Sequence, residues 1–446
     1  MHPYTNQVLE NLKKKYYWQK EFLQSVEEVF DSISLVLDQN PVYKSHKILE
    51  RIVEPERIIT FRVPWRDDKG EIQINTGYRV EFNSAIGPYK GGLRFHASVT
   101  LSVLKFLGFE QTFKNALTGL PMGGGKGGSD FNPRGRSDRE IENFCQSFMI
   151  ELSKHIGANV NVPAGDIGVG SREIGYLFGQ YKRLKNVFDC ILTGKGIDWG
   201  GINLRPEATG YGLVYFADEM LKTRGESFKG KKVAVSGFGN VAWGTVKKAT
   251  ELGGKVITLS GPDGYILDPE GISGEKIDFM LKMRLSGNDT VKDYADKYKV
   301  PYHPNKKPWE VKCDIALPCA TENELNESDA KQLVENGVFC VAEGANLPTS
   351  LDAIKVFINN KILFSPGKAS NAGGVATSGL EISQNASKII FTHEQVDTML
   401  KGIMVNIHKS CASVAEKYGH PGNYVIGANI AGFHKVANAM IDQGLV

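Results

Sequence analysis

The sequence predicts an α/β protein in two parts: a mixed α/β part up to about residue 200 and a parallel-sheet part after it. Three observations predict this. Strand-like runs in "RIITFRVPWRDDKGEIQINTGYRVEFN" are followed by apolar helical stretches such as "LSVLKFLGFEQTFKNAL". Beyond residue 200, continuous apolar strand candidates alternate with helices, which is the pattern of a parallel sheet covered on both faces. Pro206 marks the change, at a position suited to a first helical turn.

Taken in order, residues 1–50 read as two helices, with apolar residues at 3–4 spacing in "EFLQSVEEVFDSISLVLD". Lys69-Gly70 is a turn signal between strands. A glycine–lysine stretch, "PMGGGKGG", reads as a loop after the helix 101–117, and "REIENFCQSFMIELSKHI" as a further helix. After Pro206 come the helix "PEATGYGLVYFADEMLKT" and the unit "KKVAVSGFGNVAWGTVKKATELGGKVITLSGPDG", which reads strand, turn, helix, strand. "CDIALPCA", "VFCVAEGAN" and "KILFSPGKASN" are later strand candidates, and "NIAGFHKVANAMIDQG" is a terminal helix that could belong to either part.

The bulk numbers suit a soluble globular chain of 446 residues, 41% apolar and 23% charged. A net charge of +3 with no basic stripe argues against a nucleic-acid partner. The six cysteines form no C-x-x-C and mostly sit in apolar contexts, as expected of free thiols in a reducing compartment. No apolar run reaches membrane-spanning length, so the expectation is a soluble cytoplasmic protein with no membrane partner.

"VAVSGFGNVAWG" carries Gly237, Gly239 and Ala242 at the G-x-G-x-x-[GA] positions. The motif follows a strand and opens a helix, which is the context a dinucleotide site requires. Phe238, Asn240 and Val241 line the same turn. The acidic residue expected about 20 residues on is displaced: Ser260 and Gly261 stand there and Asp263 comes slightly late. No Lys or Arg occurs from 256 to 275, where a 2′-phosphate would want a cation, so NAD is favoured and NADP stays possible.

Lys90, Lys114 and Lys126 fall close together in unusual settings, and Gln111 shares a helix face with Lys114. Asp166 in "NVPAGDIGVG" is the available acidic partner. Paired with Asp166, and with its pKa depressed by neighbouring ammonium groups and burial, Lys126 could accept a proton near neutral pH. The spacing does not fit a P-loop, because Met122 stands where the first glycine should be and Gly127 follows the lysine. "HEQVD" lacks the second histidine of a zinc helix, so no metal is expected.

"GPYKGGLRF", "LPMGGGKGG", "VPAGDIGVG", "RPEATGYG", "GFGNVAWG" and "NAGGVATSGLE" together resemble the small hexameric glutamate dehydrogenases, of the Glu/Leu/Phe/Val dehydrogenase superfamily, from about residue 20 to the end. The resemblance implies an N-terminal substrate-binding and oligomerisation domain (1–200), a C-terminal Rossmann-like dinucleotide-binding domain (201–425) and a terminal helix (426–446) returning to the first. It implies reversible oxidative deamination of L-glutamate and a homohexamer. By motif, Lys90 and Ser378 would hold the side-chain carboxylate, and Lys114 with Gln111 the α-carboxylate. Lys126 would activate water and Asp166 would shuttle protons. Arg205 and Thr209 would stand beside substrate and nicotinamide, with Asn346 and Asn371 in loops where cofactor and substrate meet. Leucine and phenylalanine dehydrogenases carry an apolar residue where Lys90 stands, so Lys90 favours glutamate. A catalytically silent nucleotide sensor on the same fold is a third reading, disfavoured by intact Lys126 and Asp166. Ile202 and Asn203 depart from the family's usual small polar and aliphatic pair.

Overall fold

The computed structural model describes residues 1–445. The chain divides into two compact units, residues 1–203 with 377–396 and 429–446, and residues 204–376 with 397–428. Segment 377–396, which the sequence reading kept in the second part, groups with the first. Hydrogen bonds tie it there: Glu381 accepts from the Gly194 N–H, and Gln384 donates to the Gly201 carbonyl. The terminal helix Tyr424–Asp442 is bound to the same unit from its second turn, with the Asn429 amide donating to Ser32 Oγ at 3.0 Å.

In the first unit, strands β1 (Arg57–Arg66), β2 (Ile72–Asn83), β3 (Tyr89–Phe95), β4 (Gly123–Ser129) and β5 (Asn161–Gly165) form one sheet. Their order is β1-β2-β4-β3-β5. The pairs β1/β2 and β2/β4 are antiparallel, and β4, β3 and β5 run parallel. One face is covered by an aromatic core in which Phe131 and Phe144 stack at 3.8 Å and Phe95 and Trp65 meet them edge-on. The helix Leu101–Leu117 lies on the other face, is largely buried, and has its N-terminus capped by Thr100. Every residue of β3 and β4 is buried.

"PMGGGKGG", expected to be a loop, forms the inner strand β4. The glycines serve closeness here. A Cβ on Gly124 would sit 2.0 Å from Thr112 Oγ1 of the helix Leu101–Leu117, so helix and strand approach only without side chains.

The second unit holds β6 (Lys232–Val235), β7 (Lys255–Val256), β8 (Thr258–Gly261), β9 (Gly264–Leu267), β10 (Tyr302–Pro304), β11 (Ile315–Leu317), β12 (Cys340–Ala342) and β13 (Leu363–Ser365). The parallel sheet has the order β13-β12-β11-β6-β7, and β10-β9-β8 form a separate antiparallel sheet. "KVITLSG", read as one strand, therefore breaks at Ile257 and changes sheets. The chain leaves β6 for β7 on one side and later returns to β11 on the other. This reversal of strand order opens a crevice at the carboxyl ends of β6 and β11, where ligands bind in such sheets. Among the described residues no helix is long and apolar enough to cross a membrane.

Candidate active site

The first unit gathers charge across three parallel strands. Lys126 lies on β4, Arg94 near the end of β3, and Asp166 directly after β5. Strand register sets Arg94 opposite Gly128 and Leu93 opposite Gly165, which brings the three side chains together. Asp166 Oδ2 accepts from Arg94 Nε at 2.7 Å, and its Oδ1 lies 3.1 Å from Lys126 Nζ. All three side chains are largely withdrawn from solvent, with exposures of 6% for Lys126, 9% for Arg94 and 16% for Asp166.

Burial raises the Asp166 carboxyl, but the Lys126 and Arg94 charges outweigh it and hold the group down at about 2. Lys126 is lowered from the ordinary lysine value, first by burial and then by the Arg94 and Arg79 guanidinium groups, against the pull of Asp166. The sequence leads one to expect burial and neighbouring ammonium groups as the cause. Burial is the larger cause, and the cations are two arginines rather than lysines.

Lys90 is 1% exposed, and its Nζ donates to Thr193 Oγ1 at 2.9 Å. Lys126 shares the sheet face of Gly124, the face on which the helix Leu101–Leu117 lies. On that helix Gln111 reaches β3, with its Cγ 3.4 Å from where a Gly91 Cβ would stand, and its amide donates to Asn115 at 2.7 Å. Asn115 in turn donates to the Lys90 and Gly123 carbonyls, pinning helix to strands. Lys114 stands one turn after Gln111, half-buried. Ser378 is buried in the helix Gly373–Ser387.

Arg94, Arg79 and Thr193 are not singled out by the sequence reading. Arg94 had a signal, since it lies in "GPYKGGLRF" at strand period two from Lys90 through Gly92. Arg79 is fully buried, donates to Asn161 Oδ1 and the Gly91 carbonyl, and is pushed down to about 9 by burial. Only long-range pairing could have identified it or Thr193.

The second unit carries the fingerprint turn. Gly237 has φ +80°, a left-handed conformation suited to glycine, and its N–H donates to Ser260 Oγ. Gly239 opens the helix Asn240–Glu251 with nothing within 4 Å of its would-be Cβ. This helix has Gly239 as its N-cap and so no side chain to cap it. Its first N–H groups and positive dipole end are therefore available to a pyrophosphate, and the residues fit a dinucleotide. Val241 follows in the first turn and is half-buried, while the Phe238 ring lies 3.1 Å from a would-be Gly261 Cβ.

Asp263 is drawn inward. Its carboxylate accepts from Val291 N, Thr290 Oγ1, Lys292 N and Tyr302 OH at 2.7–3.1 Å. Burial raises it, but these bonds outweigh burial and keep it ionised. It therefore places a negative charge beside Gly261, with its oxygens engaged by Thr290, Val291, Lys292 and Tyr302.

Asn371 donates to Asn346 Oδ1 at 3.0 Å and to the Ala345 carbonyl at 2.9 Å, joining the loops after β12 and β13. Its own Oδ1 is buried with no hydrogen-bond partner among the described residues, an acceptor a ligand could satisfy. Arg205 and Thr209 face the start of the helix Gly373–Ser387, at 3.5 and 2.5 Å from a would-be Gly374 Cβ.

Known proteins resemble the chain along its whole length. Residues 200–444 match the family model for Glutamate/Leucine/Phenylalanine/Valine dehydrogenase, and residues 55–183 match that of its dimerisation domain. The chain is 60% identical over 440 residues to the NAD-specific glutamate dehydrogenase of Bacteroides fragilis, covering 98% of this chain and 99% of that one. It is 56% identical to the NADP-specific glutamate dehydrogenase of Haemophilus influenzae, covering 96% of each. Among solved structures, the glutamate dehydrogenase of Plasmodium falciparum superposes with a TM-score of 0.97 at 51% identity, covering 99% of this chain and 95% of that one.

Proposed function

The chain belongs to the Glutamate/Leucine/Phenylalanine/Valine dehydrogenase family, and from that premise we propose that it is a glutamate dehydrogenase, reversibly deaminating L-glutamate to 2-oxoglutarate and ammonia with NAD. The observation that carries the reading is the buried Lys90 ammonium on the same sheet as the Lys126–Asp166–Arg94 cluster. A buried cation suits a substrate side-chain carboxylate and would be poorly served by leucine or phenylalanine.

In this reading Lys90 and Ser378 hold the side-chain carboxylate, and Lys114 with Gln111 holds the α-carboxylate. Fixing both ends orients the Cα–H for hydride transfer, a positioning effect worth up to about 7–11 kcal/mol of barrier. The bound dinucleotide would supply the hydride acceptor at this site. Asp166, ionised at neutral pH, stabilises the iminium left on the substrate and moves protons to and from its nitrogen. Lys126 takes a proton from the attacking water, a task its lowered pKa suits. Arg94 keeps Asp166 charged and oriented.

The second unit would hold the cofactor through Gly237, Phe238, Gly239, Asn240 and Val241, with Thr209, Asn346 and Asn371 near the nicotinamide and Arg205 beside the substrate. The ionised Asp263 beside Gly261 would repel a 2′-phosphate, which supports NAD over NADP. The family's dimerisation domain supports self-association, for which we propose a homohexamer.

A steady-state assay crossing NAD and NADP with glutamate, leucine and phenylalanine tests this. Glutamate with NAD should give the highest kcat/KM. Lys90→Leu should cost about 10³-fold with glutamate and gain relatively with aliphatic amino acids. Unchanged substrate preference would overturn the assignment.

A further inference from the structure

The first unit contains a second buried ion pair, Lys195–Glu381, which the chemistry above does not use. Its side chains are 1% and 0% exposed, with Nζ and Oε1 2.7 Å apart. Glu381 also accepts from the Gly194 N–H at 2.9 Å and the Lys195 N–H at 3.3 Å. The Lys195 ammonium in turn donates to the Leu192 carbonyl.

Two features give the pair a direction. Thr193, the residue enclosed by these bonds, is the one whose hydroxyl receives the Lys90 ammonium. Leu192 is held at φ +60°, a left-handed conformation unfavourable for a side chain with a Cβ, and its carbonyl is the one the Lys195 ammonium grips. On the other side, Glu381 stands one helical turn after Ser378 on the helix Gly373–Ser387. The pair therefore bolts the segment that supports Lys90 to the helix that carries Ser378.

We propose that Lys195–Glu381 is a positioning pair that sets the spacing of the two groups receiving the substrate's side-chain carboxylate, and so determines preference for a dicarboxylate over an apolar amino acid of equal length. This rests on the glutamate reading of the site. Neither residue touches substrate, and both act through Thr193, Lys90 and Ser378. A buried pair that served only stability would show no such selectivity, since replacing such pairs with uncharged groups is often neutral.

The test uses Glu381→Gln, Lys195→Met and the charge-free double variant in the full-length chain. Readouts are kcat and KM for glutamate, norvaline and NAD, glutarate binding by calorimetry, and Tm. KM for glutamate should rise about tenfold with kcat little changed, and glutarate binding should weaken equally. Norvaline kcat/KM and KM for NAD should stay within about twofold, so the glutamate-to-norvaline preference falls about tenfold. Glu381→Asp, which keeps the charge on a shorter arm, should recover part of the loss and serves if the other variants fail to fold. An unchanged preference, or equal loss for glutamate and norvaline, overturns the proposal whatever happens to Tm. If the unaltered chain neither oxidises glutamate nor binds glutarate, the reading of the site falls first and the pair's role with it.

Discussion

Asp166 in the first unit and Glu343 in the second are both carboxyls removed from water, and they move in opposite directions. Asp166 is held at about 2, whereas Glu343, 1% exposed, is pushed up to about 7. Burial raises both. Asp166 has Lys126 and Arg94 against its two oxygens. Glu343 has the Gly367 N–H on Oε2, no hydrogen-bond partner on Oε1 among the described residues, and smaller lowering influences from Thr349 and then Lys368. The difference lies in the cations that the strand register delivers. Where β3, β4 and β5 run parallel they bring two positive groups to one carboxylate, whereas Glu343, just after β12, meets a backbone amide from the segment after β13.

The largest effect should come from removing a cation at Asp166. Lys126→Gln is expected to lower kcat about 10³-fold while leaving NAD affinity nearly unchanged, checked by steady-state kinetics and cofactor titration. If turnover survives, Lys126 is only a strand residue.

Arg94→Leu should cost less, about tenfold in kcat, because Lys126 still faces Asp166. Its signature is in pH. With one opposing charge gone, burial regains ground and the Asp166 pKa climbs from about 2. The acid limb of kcat/KM should move to higher pH, whereas an arginine that mattered only for packing would leave that limb in place.

The smallest effect should be at Glu343. Its folded value lies above the ordinary 4.5, so the stability it contributes is full below that value and is lost as pH rises through about 7. Glu343→Gln should flatten that loss and raise Tm at pH 8 by about 2–4 °C, leaving Tm at pH 4 nearly unchanged. A Tm gap that persists equally at both pH values would show that the carboxyl is ionised throughout.

Much of the site was legible because glycine is conspicuous. Lys90 and Lys126 stood out by their glycine neighbours, and the fingerprint turn by its spacing between strand and helix. The same glycines misled about local structure. A run of five reads as a loop when judged by backbone freedom, yet in β4 they answer to the helix lying on Gly124. Asp263 was seen as a charge near the ribose position, but its inward turn depended on Thr290, Val291, Lys292 and Tyr302, which lie 27 to 39 residues further on.

By itself the sequence determined the two α/β parts, the dinucleotide turn and the types of group available for proton transfer, because periodicity, turn chemistry and residue type are local. The tertiary structure alone decided which groups meet. Arg94 reaches Asp166 across 72 residues, Lys90 reaches Thr193 across 103, and Gly194 reaches Glu381 across 187. Strand order and register make those encounters, and the resulting balance of burial and charge sets the pKa of each group.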